Sequence, residues 1–222
     1  MMISQIAIFG AGGFGREVAC WAQESAPPEG QYELVGFIDD EPIQGFQTNG
    51  NQIFTLARIV ETFPGALVVI AVADPKARER IARRVLEAGL AFGTLVHQSV
   101  VRSRYVELGM GSIICAGCIL TTDIVLGNHV QINLNSTIGH DAVLGDFATL
   151  GPGVHISGCV NIGKRVFIGT GAVIINGSTA EPLLIGDDSM IGAGSCVIRS
   201  LPAASRVFGN PARPIPGASS GR

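Results

Sequence analysis

Aromatic side chains, clustered charge and long apolar runs are all scarce in this 222-residue sequence. Aromatics make up only 6% while apolar residues reach 47%, so an interior has to be built mainly from Ile, Leu, Val and Ala. The 15 Lys and Arg are outnumbered by 18 Asp and Glu, and no basic run occurs. Non-specific nucleic-acid binding depends on clustered cations that displace counterions, so no nucleic-acid partner is expected. The longest apolar stretch, Ala66 to Ala73, is far too short to span a bilayer, and no membrane partner is expected. The N-terminus shows neither a charged n-region nor a cleavage site, and a cytoplasmic protein is expected. Cysteines are few and odd in number, five in all, which points to reduced thiols. Cys115 and Cys118 form a CxxC, but no second ligand pair stands at zinc spacing, so they read as small buried thiols and no metal is expected.

Glycine, by contrast, is abundant at 30 residues and spread through ordered-looking sequence, which suits a fold with many tight turns. A repeat explains it. From Leu108, steps of six land on Ile114, Leu120, Leu126, Ile132, Ile138, Leu144, Leu150, Ile156, Ile162, Ile168 and Ile174, all aliphatic. The register slips by five residues, read as Ala180 to Leu184, and resumes at Ile185, Ile191 and Val197. Four residues after most of these positions stand small or β-branched side chains, Cys118, Ser136, Ala148, Val160 and Ser178 among them. An α-helix has no period of six and a simple strand has a period of two. The pattern is that of a hexapeptide parallel β-helix, three hexads closing one triangular coil of eighteen residues.

The first 96 residues read differently. A strand over residues 3–9 runs into Gly10-Ala11-Gly12-Gly13-Phe14-Gly15, with a helix from about Arg16 to Ser25. Strands follow at Tyr32–Ile38, Ala66–Ala73 and Ala91–Val96, and a helix capped by Asp74 with Pro75 in its first turn runs to about Ala88. Strand and helix alternation implies a parallel sheet. The GxGxxG of Gly10, Gly12 and Gly15 lies between strand and helix, where backbone N–H groups meet phosphates. Asp39, ending the second strand, is placed to bond a ribose. The second mononucleotide half is missing, so one nucleotide suits this unit better than two, and a nucleotide-linked sugar is the ligand read here. The expected organisation is a half-Rossmann α/β domain over 1–96, an all-β parallel β-helix over 97–201, and a C-terminal segment over 202–222.

Of four histidines, His140 is the third residue of its hexad, outside the two inward positions, and Asp141 follows it. One coil further, at position 158, stands Gly158, with an unobstructed backbone N–H. A base, a carboxylate and a bare donor thus share one outer face. His97, at the junction, reads as structural, and His155 has no adjacent carboxylate.

With the Gly-rich half-Rossmann unit, GFIDD at 36–40, the hexapeptide repeats, INLNSTIGHD at 132–141 and GNPAR at 209–213, the sequence resembles the PglD/NeuD family of sugar acyltransferases over nearly its whole length. That resemblance implies a left-handed β-helix, a homotrimer with sites between subunits, and acetyl-CoA as co-substrate. It further implies His140 as general base supported by Asp141, Asn133 as the upstream site Asn, and Gly158 as the oxyanion donor. Thr149, Thr170 and Ala193 fall on acetyl-CoA positions, and Gly12, Gly13, Phe14, Asp39, Asp40 and Ala73 on nucleotide-sugar positions. Phe14 stands where the family often has His, Ala73 where it has Gly, and Thr149 where some members have His. Lys164, Arg165, Arg199 and Arg213 are candidate partners for the coenzyme A phosphates.

The function expected is N-acetylation of the amino group of a nucleotide-linked sugar. O-acetylation of sialic acid or a related sugar is the alternative. An NAD-dependent oxidoreductase is disfavoured by the missing half-domain, and a non-catalytic β-helix by the His140-Asp141-Gly158 grouping.

Overall fold

The computed structural model describes residues 4–24, 32–40 and 47–215. They divide into two compact units, residues 1–98 with 110–113, and residues 99–109 with 114–222.

The first unit is built on β1 (Ser4–Phe9), α1 (Gly13–Glu24), β2 (Tyr32–Ile38), β3 (Gln47–Thr48), β4 (Asn51–Phe54), α2 (Leu56–Thr62), β5 (Leu67–Ile70), α3 (Pro75–Glu87) and β6 (Ala91–Phe92). The sheet order is β3-β4-β2-β1-β5-β6, with β1 parallel to β2 and β5. Ile6, Ile8, Phe37, Ile38, Val68 and Ile70 are fully or almost fully buried, each contributing about 1.5–3 kcal/mol of hydrophobic stabilisation. The start of the expected first strand at residue 3 and the helix end at Ser25 lie outside the described residues.

Three expectations are corrected here. Helix α1 begins at Gly13, three residues before Arg16, because Gly15 packs onto the end of β1; a β-carbon there would overlap the Gly10 carbonyl oxygen. Strand β5 stops at Ile70, since the chain beyond it turns toward α3, whose cap Asp74 accepts from Ala77 N at 2.6 Å. The expected strand Ala91–Val96 is two short pieces, Ala91–Phe92 and Leu95–Val96. Strands β3 and β4 and helix α2 had no reading in the sequence.

The second unit is the left-handed parallel β-helix. Its strands are two or three residues long and stack one coil apart, so that Ile138 pairs with Leu120 and Ile156, and Leu150 with Ile132 and Ile168. For the side chains, the inward aliphatic ladder is buried from Ile114 to Val197, and so are Ser112, Cys118, Ser136, Ala148 and Val160 in the smaller inward slot. The fourth residue of successive hexads takes a left-handed conformation: His129, Asn135, Asp141, Phe147, Cys159 and Arg165 have φ between 55° and 61°. Each coil corner therefore turns on this residue, which sets the direction in which its side chain leaves the coil.

The five-residue slip lies elsewhere than expected. Gly177 N donates to Gly158 O at 3.1 Å and Leu183 N to Cys159 O at 3.0 Å, so coil-to-coil bonding is regular on both sides of Ser178–Pro182. The extra residues are these five rather than Ala180 to Leu184. Ser178 consequently does not fill an inward slot: it is exposed, and its Oγ accepts from Glu181 N at 3.0 Å.

Candidate active site

The triangular coil has three corners, and the predicted residues distribute over them. In the coil that starts at Gln131–Ile132, the chain turns at 133–136, runs through Thr137–Ile138, turns at 139–142, and continues into Val143–Leu144. His140 and Asp141 occupy the second turn, and Gly158 and Cys159 stand above them one coil on.

His140 Nδ1 lies 2.7 Å from Asp141 Oδ2. An ionised carboxylate only accepts, so Nδ1 carries the proton and Nε2 bears the lone pair. The ring's Nε2 faces Gly158, where a β-carbon would come within 2.5 Å of it. Ser157 N and Cys159 N both donate between coils, to Ile174 O and His140 O, whereas among the described residues no group accepts the Gly158 N–H. A general base standing beside an uncommitted backbone N–H brings a proton acceptor and an oxyanion donor to one corner, an arrangement that suits acyl transfer. Both side chains are more than half exposed, His140 at 61% and Asp141 at 53%, leaving room for a ligand.

The other predicted residues of this unit are not brought to that corner. Asn133 sits at the first turn, its Nδ2 donating to Leu150 O at 3.0 Å. Thr149 is buried on the face shared with Gln131 and Phe167. Thr170 and Ala193 are exposed third-hexad residues stacked at the same turn as Asn133. Within one chain, then, the residues expected to meet acetyl-CoA and the His140–Asp141 pair do not share an edge of the prism.

His155 projects from the strand face between these two edges, its Nδ1 2.9 Å from Thr137 Oγ1. His129 is buried and stacked on Phe147, ring centroids 5.0 Å apart, as a structural element. Within the first unit, His97 meets Trp21 edge-on at 6.2 Å.

The phosphate candidates also separate. Lys164 pairs with Asp146 at 3.0 Å, Arg165 holds Asp188 through two bonds of 2.8 and 2.9 Å, and Arg213 donates to Ala212 O. Arg199 instead lines a cavity of about 270 Å³ together with Leu201, Pro202, Arg206, Val207 and Pro214. Arg206 escaped the sequence reading because it stands beyond the last regular hexad.

In the first unit, Gly12 and Gly13 follow β1, Asp39 and Asp40 follow β2, and Ala73 follows β5. All lie beyond the carboxyl ends of neighbouring parallel strands, at the point where the order reverses around β1, the usual ligand crevice of such sheets. A β-carbon on Gly12 or Gly13 would meet nothing within 4 Å, so their backbone faces open space, and Phe14 is half-buried beside them.

Two arginines missed by sequence reasoning shape this crevice. Arg84 of α3 grips Asp40 with both terminal nitrogens, Nη1 to Oδ2 at 2.9 Å, and lies 5.6 Å from the Phe9 ring centroid. Its hydrogen bond holds the Asp40 carboxyl below the usual range, against a smaller opposing effect of burial. Arg78 is fully buried and donates to Val72 O at 2.7 Å and Ala73 O at 3.2 Å, anchoring the turn after β5. Burial pulls its pKa down to about 9, with nearby Asp74 acting in the other direction.

Comparison with known proteins agrees with this geometry. Residues 5–85 match the PglD N-terminal domain and residues 141–176 the bacterial transferase hexapeptide (six repeats). The chain is 34% identical over 212 residues to GDP-perosamine N-acetyltransferase of Escherichia coli O157:H7, covering 93% of this chain and 94% of that protein. It superimposes with a TM-score of 0.85 and 27% identity on a histidine-to-asparagine variant of perosamine N-acetyltransferase from Caulobacter crescentus, in complex with CoA and GDP-perosamine, covering 96% and 98% of the two chains. With the acetyltransferase domain of PglB from Neisseria gonorrhoeae FA1090, in complex with acetyl coenzyme A, the TM-score is 0.85 at 29% identity, covering 96% and 100%. With the half-Rossmann unit, the hexapeptide coils and the His140–Gly158 corner in place, this chain is an acyltransferase and belongs to the PglD-like family of sugar acetyltransferases.

Proposed function

We propose that this enzyme transfers the acetyl group of acetyl-CoA to the amino group of a nucleotide-linked amino sugar. The observation that carries the reading is the His140 ring, protonated on Nδ1 by its bond to Asp141 and presenting Nε2 to Gly158. His140 Nε2 takes the proton as the sugar nitrogen attacks the thioester carbonyl. The new C–N bond forms, the negative charge on the carbonyl oxygen is met by the Gly158 N–H, and collapse breaks the C–S bond. The departing thiolate takes its proton from the imidazolium. Each step is general acid–base and electrostatic, so the residues present suffice without a metal.

Acetyl-CoA and a GDP-linked amino sugar, bound by the relatives described above, are the ligands we assign, which favours N- over O-acetylation. Thr149, Thr170 and Ala193 take the coenzyme, Asn133 at the same turn joins His140, Asp141 and Gly158 in the catalytic group, and the open crevice at Gly12, Gly13, Phe14, Asp39, Asp40 and Ala73 takes the nucleotide sugar. Because the coenzyme positions and His140 lie on different edges of one prism, a complete site draws on two chains, and we infer a homotrimer. We place it in the cytoplasm, with its substrates; among the described residues no helix is long and apolar enough to cross a membrane.

Incubation with acetyl-CoA and a panel of GDP-, UDP- and dTDP-amino sugars, read by mass spectrometry, tests the reaction. Acetylation of the amine of one nucleotide amino sugar is the expected result; acetylation of a hydroxyl sugar alone would overturn it. Sedimentation tests the assembly, and a stable active monomer would refute the two-chain site. Asp39→Ala should weaken nucleotide-sugar binding and spare coenzyme binding.

A further inference from the structure

The period of eighteen residues brings a third chemical type to the His140 corner. Cys159 stands one coil above Asp141, at the same left-handed corner position, with φ of 55° against 57°. Equivalent backbone directs both side chains to the same side of the prism. Cys159 Sγ is 4.0 Å from Asp141 Oδ2, and the donor atoms of His140, Asp141 and Cys159 all lie within 4.8 Å of one another. The five-residue insertion completes the surroundings by placing Thr179 Oγ1 4.0 Å from the same sulfur. The missing side chain at Gly158 makes room for the imidazole at this corner.

We propose that the His140–Asp141–Cys159 corner binds a thiophilic divalent cation of the Zn²⁺ class, one per chain, and that the bound cation silences the enzyme. Imidazole nitrogen, carboxylate oxygen and thiolate sulfur form a donor set that suits zinc and not magnesium or calcium. Tetrahedral zinc holds such donors roughly 3.4–3.6 Å apart. The Sγ–Oδ2 pair at 4.0 Å has to close slightly, and the Nδ1–Oδ2 pair at 2.7 Å has to open, a change the two exposed side chains permit by rotation. On binding, the S–H bond breaks and its proton leaves to solvent, the Nδ1 proton is lost and Nε2 takes one up from solvent so that the imidazole stays neutral, and S–metal and Nδ1–metal bonds form; nothing is oxidised or reduced. Thiolate and carboxylate together neutralise the dication. The fourth position is left to water, with the Thr179 hydroxyl beside it.

The cation takes His140 Nδ1 and the Asp141 carboxylate, the two groups that set the tautomer for acetyl transfer. The binding claim stands on geometry alone; the inhibitory consequence rests on the function proposed above.

Chelator-stripped, fully reduced protein is titrated with ZnCl₂ by calorimetry and, separately, with CoCl₂ while the near-ultraviolet spectrum is recorded. The wild type should bind one zinc per chain, and cobalt should produce a sulfur-to-metal charge-transfer band. Cys159→Ser should abolish the band and weaken zinc by more than about 100-fold, beyond the 10–100-fold typical of losing an outer partner. His140→Ala, at an exposed position, provides a second ligand deletion and should also weaken zinc. MgCl₂ should give no heat. In the acetyl-transfer assay, micromolar zinc should stop the wild type, a chelator should restore it, and Cys159→Ser should turn over normally with zinc present. Zinc binding that survives Cys159→Ser unchanged, or that disappears instead in Cys20→Ser at the exposed cysteine, would overturn the site. Zinc bound with its cobalt band but without effect on turnover would uphold the site and overturn His140 as the base.

Discussion

The His140 imidazole occupies the space into which any side chain at position 158 would grow, its Nε2 being 2.5 Å from where a Gly158 β-carbon would stand. Glycine is thus required here by the neighbouring imidazole ring. The backbone itself is outside the left-handed region, unlike that of the corner residues. Gly158→Ala should fold normally and lose most of its turnover, because the methyl pushes the ring away from the acceptor. Circular dichroism melts beside steady-state rates test this, and a fully active Gly158→Ala enzyme would contradict the placement of the base.

Removing the base itself should be costly in rate and cheap in stability. A positioned histidine contributes roughly 10²–10⁴-fold to such a transfer, and His140→Ala should lower kcat by about that factor. Its melting temperature should stay close to wild type, since the side chain is 61% exposed. Asp141→Asn should fall less far, removing only the group that holds the tautomer. His155→Ala serves as the control and should keep its rate; the reverse ranking would reassign the site.

Arg78 is the residue whose loss should be felt in the fold. Its guanidinium is fully buried and satisfies the Val72 and Ala73 carbonyls. Arg78→Leu leaves those acceptors buried and should destabilise the first unit by about 2–4 kcal/mol. Denaturant unfolding followed by Trp21 fluorescence reads that unit directly. Nucleotide-sugar affinity should fall as well, because the turn at Ala73 is released.

The Asp40–Arg84 pair gives a pH signature. The Asp40 pKa is lowered in the folded chain, so its stabilising contribution is present above the ordinary value of 3.8 and is lost as pH falls through the lower folded value. Both side chains are about half exposed, and the contribution should stay below about 1 kcal/mol. Arg84→Ala should return the Asp40 titration, followed by NMR, toward 3.8. The stability difference from wild type should be small at neutral pH and should vanish in strong acid. An unchanged Asp40 titration would show that Arg84 does not hold it in solution.

What the sequence determined by itself is whatever depends on one-dimensional spacing. Aliphatic residues every six positions dictate which side chains face inward, and the burial of the ladder from Ile114 to Val197 follows. Eighteen residues per coil put Gly158 over His140 by addition alone, and the Gly10–Gly15 turn followed from its place between strand and helix. Tertiary structure decided everything that depends on direction. The left-handed backbone at Asp141 and Cys159 turns both side chains onto one flank, and the same arithmetic that found Gly158 would have found Cys159 had that direction been known. The insertion could be counted from the broken period but not located, because only the hydrogen bonds of Gly177 and Leu183 show which residues leave the coil. Arg84 meets Asp40 across 44 residues, and Arg78 turns back onto the carbonyls of Val72 and Ala73. No periodicity encodes such contacts, since they arise where separate elements of the first unit pack together.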